Sequence, residues 1–286
     1  MYRLLFLFLV FLCSLHFSGM ASAQVKESSQ ITWIRWDDPP IFIFAGPYRG
    51  QGLLDVVEVQ VQKYMPQYEH KKIEGTVLRV LKEAENQSPI CNAGWLDTPE
   101  WRKLFYFSKP VFVIPTNGVL IKESHLKEIV GLQPYALQKF LDKKPEWKLG
   151  VGRLYGEGID PILFKNDYQK NPKFVPIATS LRVHQMLQND RIQYTLGYPF
   201  EAVYYNELLK NKDKVVYVPL TDNSSFVEVV VACPKNEWGK KVIADVNKVL
   251  EKPMVLAEIE KGVDRWLSKE DQRRLIQPRL EMLKKR

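Results

Sequence analysis

The stretch Gly150-Val151-Gly152-Arg153-Leu154-Tyr155-Gly156-Glu157-Gly158 follows a strand-like run and leads into a helical pattern. Unpaired backbone N–H groups at such a turn can hold an anionic group, an arrangement that Glu157 opposes. As a dinucleotide fingerprint the glycine spacing is wrong. Asp38 and Glu157 are the two carboxylates placed to act as counter-charge or as general acid and base. Asp38 also suits a turn, because it precedes Pro39 and Pro40. Trp36, Trp95, Trp101, Tyr155 and Tyr198 fall at or near the ends of strand-like runs, where rings can stack on a planar or cationic solute. Trp95 and Trp101 read equally well as core aromatics. His70, His125 and His184 are far apart and lack metal-ligand spacing. That spacing predicts no metal site, and no other cofactor is expected; no serine sits in a glycine-flanked turn of the kind a hydrolase needs, so hydrolase chemistry is not expected either.

These residues are carried by alternating strand and helix patterns, which predict an α/β fold. Strands are expected at 31–36, 89–95, 111–121, 147–152, 192–198, 215–219 and 226–233. Leu53, Val57, Val61 and Tyr64 recur at helical spacing, and Pro66 follows as a stop. Thr98-Pro99-Glu100 reads as an N-cap and first turn, predicting a short helix through Leu104. Further amphipathic patterns cover 181–187, 200–209, 242–250 and 254–266. The segments 111–121 and 226–233 are long enough to pass between two lobes.

The chain has 286 residues and a formal net charge of +8. Its basic and acidic residues are interspersed, which predicts a solvated surface and no nucleic-acid site. Arg3, the apolar run Leu4 to Leu15 and Ala21-Ser22-Ala23 together predict an export leader, residues 1–23, cleaved before Gln24. That run is shorter than the roughly 18 residues a membrane span needs, so no insertion is expected. Cys13 lies inside it without preceding small residues, and lipidation is not expected. Cys91 and Cys233 then remain in a compartment that permits disulfides; both a bridge and two buried thiols fit their apolar settings.

Several segments, in order, resemble the extracellular solute-binding proteins of family 3, the polar-amino-acid receptors of ABC transporters. Ile31 to Phe44, with Asp38-Pro39-Pro40-Ile41, is similar to the family's first strand and its turn; Gly50-Gln51-Gly52-Leu53-Leu54-Asp55 is similar to its first helix start. Cys91 to Trp95, Thr98-Pro99-Glu100 and Phe107-Ser108-Lys109-Pro110 resemble the strand and the threonine-proline-glutamate-arginine … phenylalanine-serine-x-proline stretch. Leu149 to Gly158 and Leu187 to Glu201 resemble the second lobe's glycine turn and its following strand.

The resemblance implies a two-lobed type II periplasmic-binding-protein fold, each lobe a mixed sheet flanked by helices, joined by two hinge strands. It divides the chain into the leader at 1–23, a first lobe at 24–112 plus 235–286, and a second at 113–234. It implies a monomeric periplasmic receptor that is not an enzyme, serving an ABC permease or a membrane sensor. The alternative it carries is an exported dehydratase, with Asp38 or Glu157 as acid or base. The arginine that pairs with a ligand carboxylate falls at Trp101, with Arg102 one residue on; the aspartate for the ligand ammonium falls at Tyr198, and the stacking aromatic at Asp38. These departures imply a small polar, aromatic or cationic solute rather than an ordinary α-amino acid, contacted by Asp38, Trp95, Trp101, Arg102, Arg153, Tyr155 and Tyr198.

Overall fold

In the computed structural model the described residues are 29–152 and 155–285. The expected leader and the predicted ligand contact Arg153 lie outside them. In chain order the first part comprises β1 (Gln30–Arg35), α1 (Leu53–Lys63), β2 (Glu69–Glu74), α2 (Val77–Glu85), β3 (Ile90–Leu96), β4 (Phe105–Phe107) and β5 (Phe112–Pro115). The middle comprises β6 (Gly118–Lys122), α3 (Leu126–Ile129), α4 (Leu137–Lys143), β7 (Leu149–Val151), α5 (Asp160–Lys165), β8 (Phe174–Pro176), α6 (Ser180–Gln188), β9 (Tyr194–Gly197), α7 (Pro199–Leu208) and β10 (Val215–Val218). The chain ends with β11 (Phe226–Pro234), α8 (Glu237–Leu250), α9 (Pro253–Asp264), α10 (Lys269–Arg274) and α11 (Ile276–Lys284).

Two mixed sheets result, one per lobe. The first runs β2-β1-β3-β11-β4, with β5 also paired to β11; the second runs β10-β6-β9-β7-β8. The stretch 111–121, expected as one strand, is broken at Thr116-Asn117, and this is where the chain leaves the first sheet. It returns between β10 and β11. The two crossing segments hold each other: the Thr116 hydroxyl donates to the Ser224 carbonyl, and the Asn223 side chain donates to the Asn117 carbonyl at 3.0 Å.

Strand β2 is absent from the sequence reading because Glu69–Glu74 carries no apolar alternation. It is an edge strand parallel to β1 with no fully buried residue, only Ile73 and His70 being partly covered, so its pairing comes mainly from the backbone. The Thr98-Pro99-Glu100 signal starts only a 3-10 turn at Trp101–Lys103, with the Thr98 hydroxyl accepting the Trp101 N–H at 3.4 Å.

Adjacent residues of β1 point to opposite faces. Trp33 joins the large core against α1, α8 and α9, while Ile34 faces a smaller cluster with Val80 and Ala84 of α2. Simple alternation would put Trp95 on the same face as Cys91 and Ala93. An extra residue in β3 prevents this: Trp95 pairs with Val230 and Asn92 with Ala232, three steps on one strand against two on the other. Such a bulge flips the side chains beyond it. Gly94 still faces Leu54, where a Cβ would fall 2.3 Å from a methyl carbon, and Trp95 turns to the α2 side. There it packs on Trp101 and Phe105, at ring separations of 5.7 and 5.3 Å.

On the other face of β3, Cys91 is bonded to Cys233 of β11, with Cα atoms 4.4 Å apart. The bridge was one of two readings open to the sequence; cross-strand pairing decides between them. It spans 142 residues of chain and so encloses the whole second lobe.

A charged cluster sits between α1 and the first sheet. Arg35 pairs with Asp55, whose other oxygen accepts the Ile43 and Gly52 N–H groups at 3.0 Å each. Glu58 is 1% exposed, with Arg35 at 3.4 Å and Lys72 at 3.6 Å, yet neither of its oxygens accepts a hydrogen bond. Burial outweighs both cations and pushes its pKa up to about 7.

Three measurements follow from this packing. Replacing both cysteines by alanine should lower the unfolding free energy by about 2–5 kcal/mol in denaturant titration, since the open loop restores chain entropy to the unfolded state. Trp95→Ala should cost about 3–5 kcal/mol of stability without any solute present, as a buried aromatic does. Glu58 is protonated more readily folded than unfolded, so stability should fall by about 3 kcal/mol as pH rises from 4.5 through 7. Glu58→Gln should flatten that part of the pH–stability curve.

Candidate functional site

The lobes meet around a cavity of about 530 Å³. The first lobe contributes the turn after β1. Asp38 is held there by backbone bonds, its carbonyl accepting the Ile41 and Phe42 N–H groups at 2.7 and 3.3 Å. The Asp37 carboxylate accepts the Phe44 N–H at 3.3 Å. With Pro39, these two acids line the first-lobe side.

The second lobe contributes the carboxyl ends of β7, β8 and β9 and the helices that follow β8 and β9, the position where open α/β sheets place ligands. β7 ends at Gly152, where a Cβ would lie 2.5 Å from the Ile177 carbonyl oxygen, so only glycine lets β7 and the end of β8 approach this closely. The Tyr155 hydroxyl accepts the Gly152 N–H at 3.3 Å, and the Tyr155 N–H donates to Asp160 at 2.8 Å. Beyond β8, the Thr179 side chain caps α6 through the Arg182 N–H, and Ser180 faces the cavity.

Helix α7 supplies Glu201, Tyr204, Tyr205 and Leu208, spaced as one helical face. Glu201 accepts the Tyr198 N–H at 3.4 Å, which closes the first turn. The Tyr205 hydroxyl donates across the lobes to the Pro39 carbonyl at 3.4 Å. Burial first, then the negative charges of Glu201 and Asp38, hold the Tyr205 hydroxyl protonated well above its usual range. Tyr204 is raised as well, by burial and then by Asp37. Behind Tyr205, His184 is fully buried and stacked at 4.3 Å, and burial pushes its pKa down to about 3. It is a neutral ring at any physiological pH.

Of the expected contacts, Asp38 and Tyr155 are brought together at the cavity. Trp95, turned by the bulge, and Trp101, which packs on its ring, lie with the α2 and β4 cluster on the far face of the first sheet. Arg102 is exposed and forms a two-pronged pair with Asp97 at 2.6 and 2.8 Å, turned to solvent. Tyr198 caps α7 and stacks on Phe200 at 4.9 Å, packed against the first-lobe core. Glu157, the other candidate acid, is exposed and absent from the lining. The sequence reading passed over Glu201, Tyr204, Tyr205 and Ser180. The 200–209 pattern was legible as a helix, but which face met the other lobe depended on the packing of the lobes. Among the described residues no cluster of three metal-ligating side chains occurs.

No family model and no curated protein matches the chain. Solved structures do. An ancestral cationic amino acid solute-binding protein superposes with a TM-score of 0.62 at 16% identity, over 84% of this chain and 96% of that one. The probable amino-acid ABC transporter extracellular-binding protein ytmK of Bacillus subtilis gives 0.61 at 16%, over 84% and 99%. A histidine kinase sensor domain with similarity to periplasmic binding proteins gives 0.59 at 13%, over 84% and 96%. At these identities the likeness speaks to architecture. The chain has the two-lobed type II periplasmic-binding-protein fold, far diverged in sequence from the binding proteins and sensor domains that share it.

Proposed function

We propose that the protein is a periplasmic receptor that captures a small polar, aromatic or cationic solute between its lobes and is not an enzyme. It works as a monomer, is exported by the leader at 1–23, and presents the loaded form to an ABC permease or to a membrane sensor. The observation that carries this reading is the cavity of about 530 Å³, walled by both lobes at strand carboxyl ends. That volume suits a small organic molecule. Asp38 from one lobe and Tyr155 from the other are the contacts that couple binding to the lobe arrangement. The fold's other examples named above support it: by their descriptions they are binding proteins or a sensor domain.

Native mass spectrometry of protein purified from the periplasm should find a bound small molecule or, after adding candidate solutes, a one-to-one complex. A solute that binds only the folded form at a hundredfold excess over Kd should add about 2.7 kcal/mol, a rise of several degrees in Tm. Tyr155→Ala should weaken that solute by about 1–3 kcal/mol, after correction for the melting of the unliganded variant. A cavity that stays empty against a broad solute panel, with no shift in Tm, would overturn the receptor reading.

A further inference from the structure

Two crossing segments join the lobes, and such a joint by itself lets lobes swing open and shut. Here a third connection bridges them. Helix α7 is fixed to the second sheet, where the Asn206 side chain donates to the Val215 carbonyl at 2.7 Å and accepts the Val215 N–H at 2.9 Å. One turn of the same helix, Tyr204 to Glu207, meets three separate stretches of the first lobe. The Tyr204 ring meets Tyr48 and Trp266 edge-on at 5.9 and 5.2 Å. The Tyr205 hydroxyl donates to the Pro39 carbonyl at 3.4 Å. Glu207 accepts two N–H groups of Arg265 at 2.9 and 2.5 Å. These first-lobe partners are themselves tied together: Arg265 lies over the Tyr48 and Trp266 rings at 5.5 and 4.3 Å, and Trp266 donates to the Gln51 carbonyl at 2.7 Å.

All these contacts are short and sit on one helical turn, so a swing that carried α7 away from the first lobe would break them together. The ion pair is partly exposed and adds little. The rings weigh more, because Tyr204 is buried and Trp266 fully so. Undocking returns area of Tyr48, Tyr204 and Trp266 to water, which leaves a swung-open form at about one molecule in a hundred or fewer.

We infer that α7 is an interlobe latch: without solute the protein holds one lobe arrangement, with Tyr204 docked on Tyr48 and Trp266, and does not exchange with a form swung open about the crossing segments. This concerns the empty protein and goes beyond the receptor reading. A cavity that accepts no solute leaves it intact.

Pulsed electron paramagnetic resonance on the mature protein tests it. The two native cysteines are bonded to each other, so spin labels attach only at Lys82→Cys in α2 and Lys165→Cys in α5, exposed positions with one in each lobe. The labelled protein is unfolded in guanidinium chloride with its bridge intact, to shed any carried solute, then refolded and checked for emptiness by native mass spectrometry. It should show one narrow distance population, with no second above about a tenth of the molecules. Tyr204→Ala, which removes the ring contacts, should bring in a second, distinct population. Tyr204→Leu, which keeps an apolar side chain but not the ring, is read in its place if the alanine variant no longer melts cooperatively. Two populations or a broad spread in the empty parent protein overturn the inference. A distribution that the Tyr204 variant leaves unchanged overturns it too, since something other than α7 then holds the lobes.

Discussion

The arrangement of the lobes depends on the docking of one helix. α7 belongs to the second lobe by chain order and is tied to β10 there, the Asn206 side chain donating to the Val215 carbonyl at 2.7 Å. Its aromatic face is nevertheless part of the first lobe's core: Phe200, Tyr204 and Tyr205 are buried with Phe42, Val57 and Trp266. Tyr204 meets the edges of Tyr48 and Trp266 at 5.9 and 5.2 Å, and Trp266 donates to the Gln51 carbonyl at 2.7 Å. Burying a large side chain is worth about 1.5–3 kcal/mol, so three aromatics outweigh the surface pair of Arg265 and Glu207 beside them. The cavity's shape is thus set by hydrophobic packing before any solute arrives.

That packing makes one helix serve two purposes. Positions 201, 204, 205 and 208 present acid and rings to the cavity, while 200 and 204 also anchor the lobes. Gly197, just before the helix, makes the geometry possible: a Cβ there would lie 2.8 Å from a Glu201 carboxylate oxygen and 2.7 Å from Leu120. A larger residue would push Glu201 out of its place at the helix start. A change in the cavity's acid and a change in lobe docking are therefore mechanically linked through less than two turns of helix.

The first lobe is stiff where it meets this helix. The Cys91–Cys233 bridge ties the two central strands, and the Arg35, Asp55, Glu58 and Lys72 cluster fastens α1 to the end of β1. Arg35 also lies over the Phe42 and Phe44 rings, at 5.0 and 4.8 Å. Asp37 and Asp38 follow within three residues, so the cavity's first-lobe acids hang from a rigid strand end. A carboxylate held on rigid backbone loses little freedom on binding, which favours affinity.

The sequence alone determined the fold class, because strand and helix periodicities are local consequences of which side chains must be buried, and the order of five short segments carried the two-lobed likeness. It also put Asp38 and Tyr155 just beyond strand ends, and both line the cavity. It was blind to β2, whose polar residues are held by backbone pairing, and to the bulge at Ala93-Gly94 that moves Trp95 out of register. Only tertiary structure decided that Cys91 faces Cys233, that Trp101 packs behind the sheet, and that Glu201 and Tyr205 join Asp38 around one cavity. Each of these is a contact between residues more than a hundred positions apart or a choice of face. Such choices are settled by the packing of whole elements against each other, which no local spacing records.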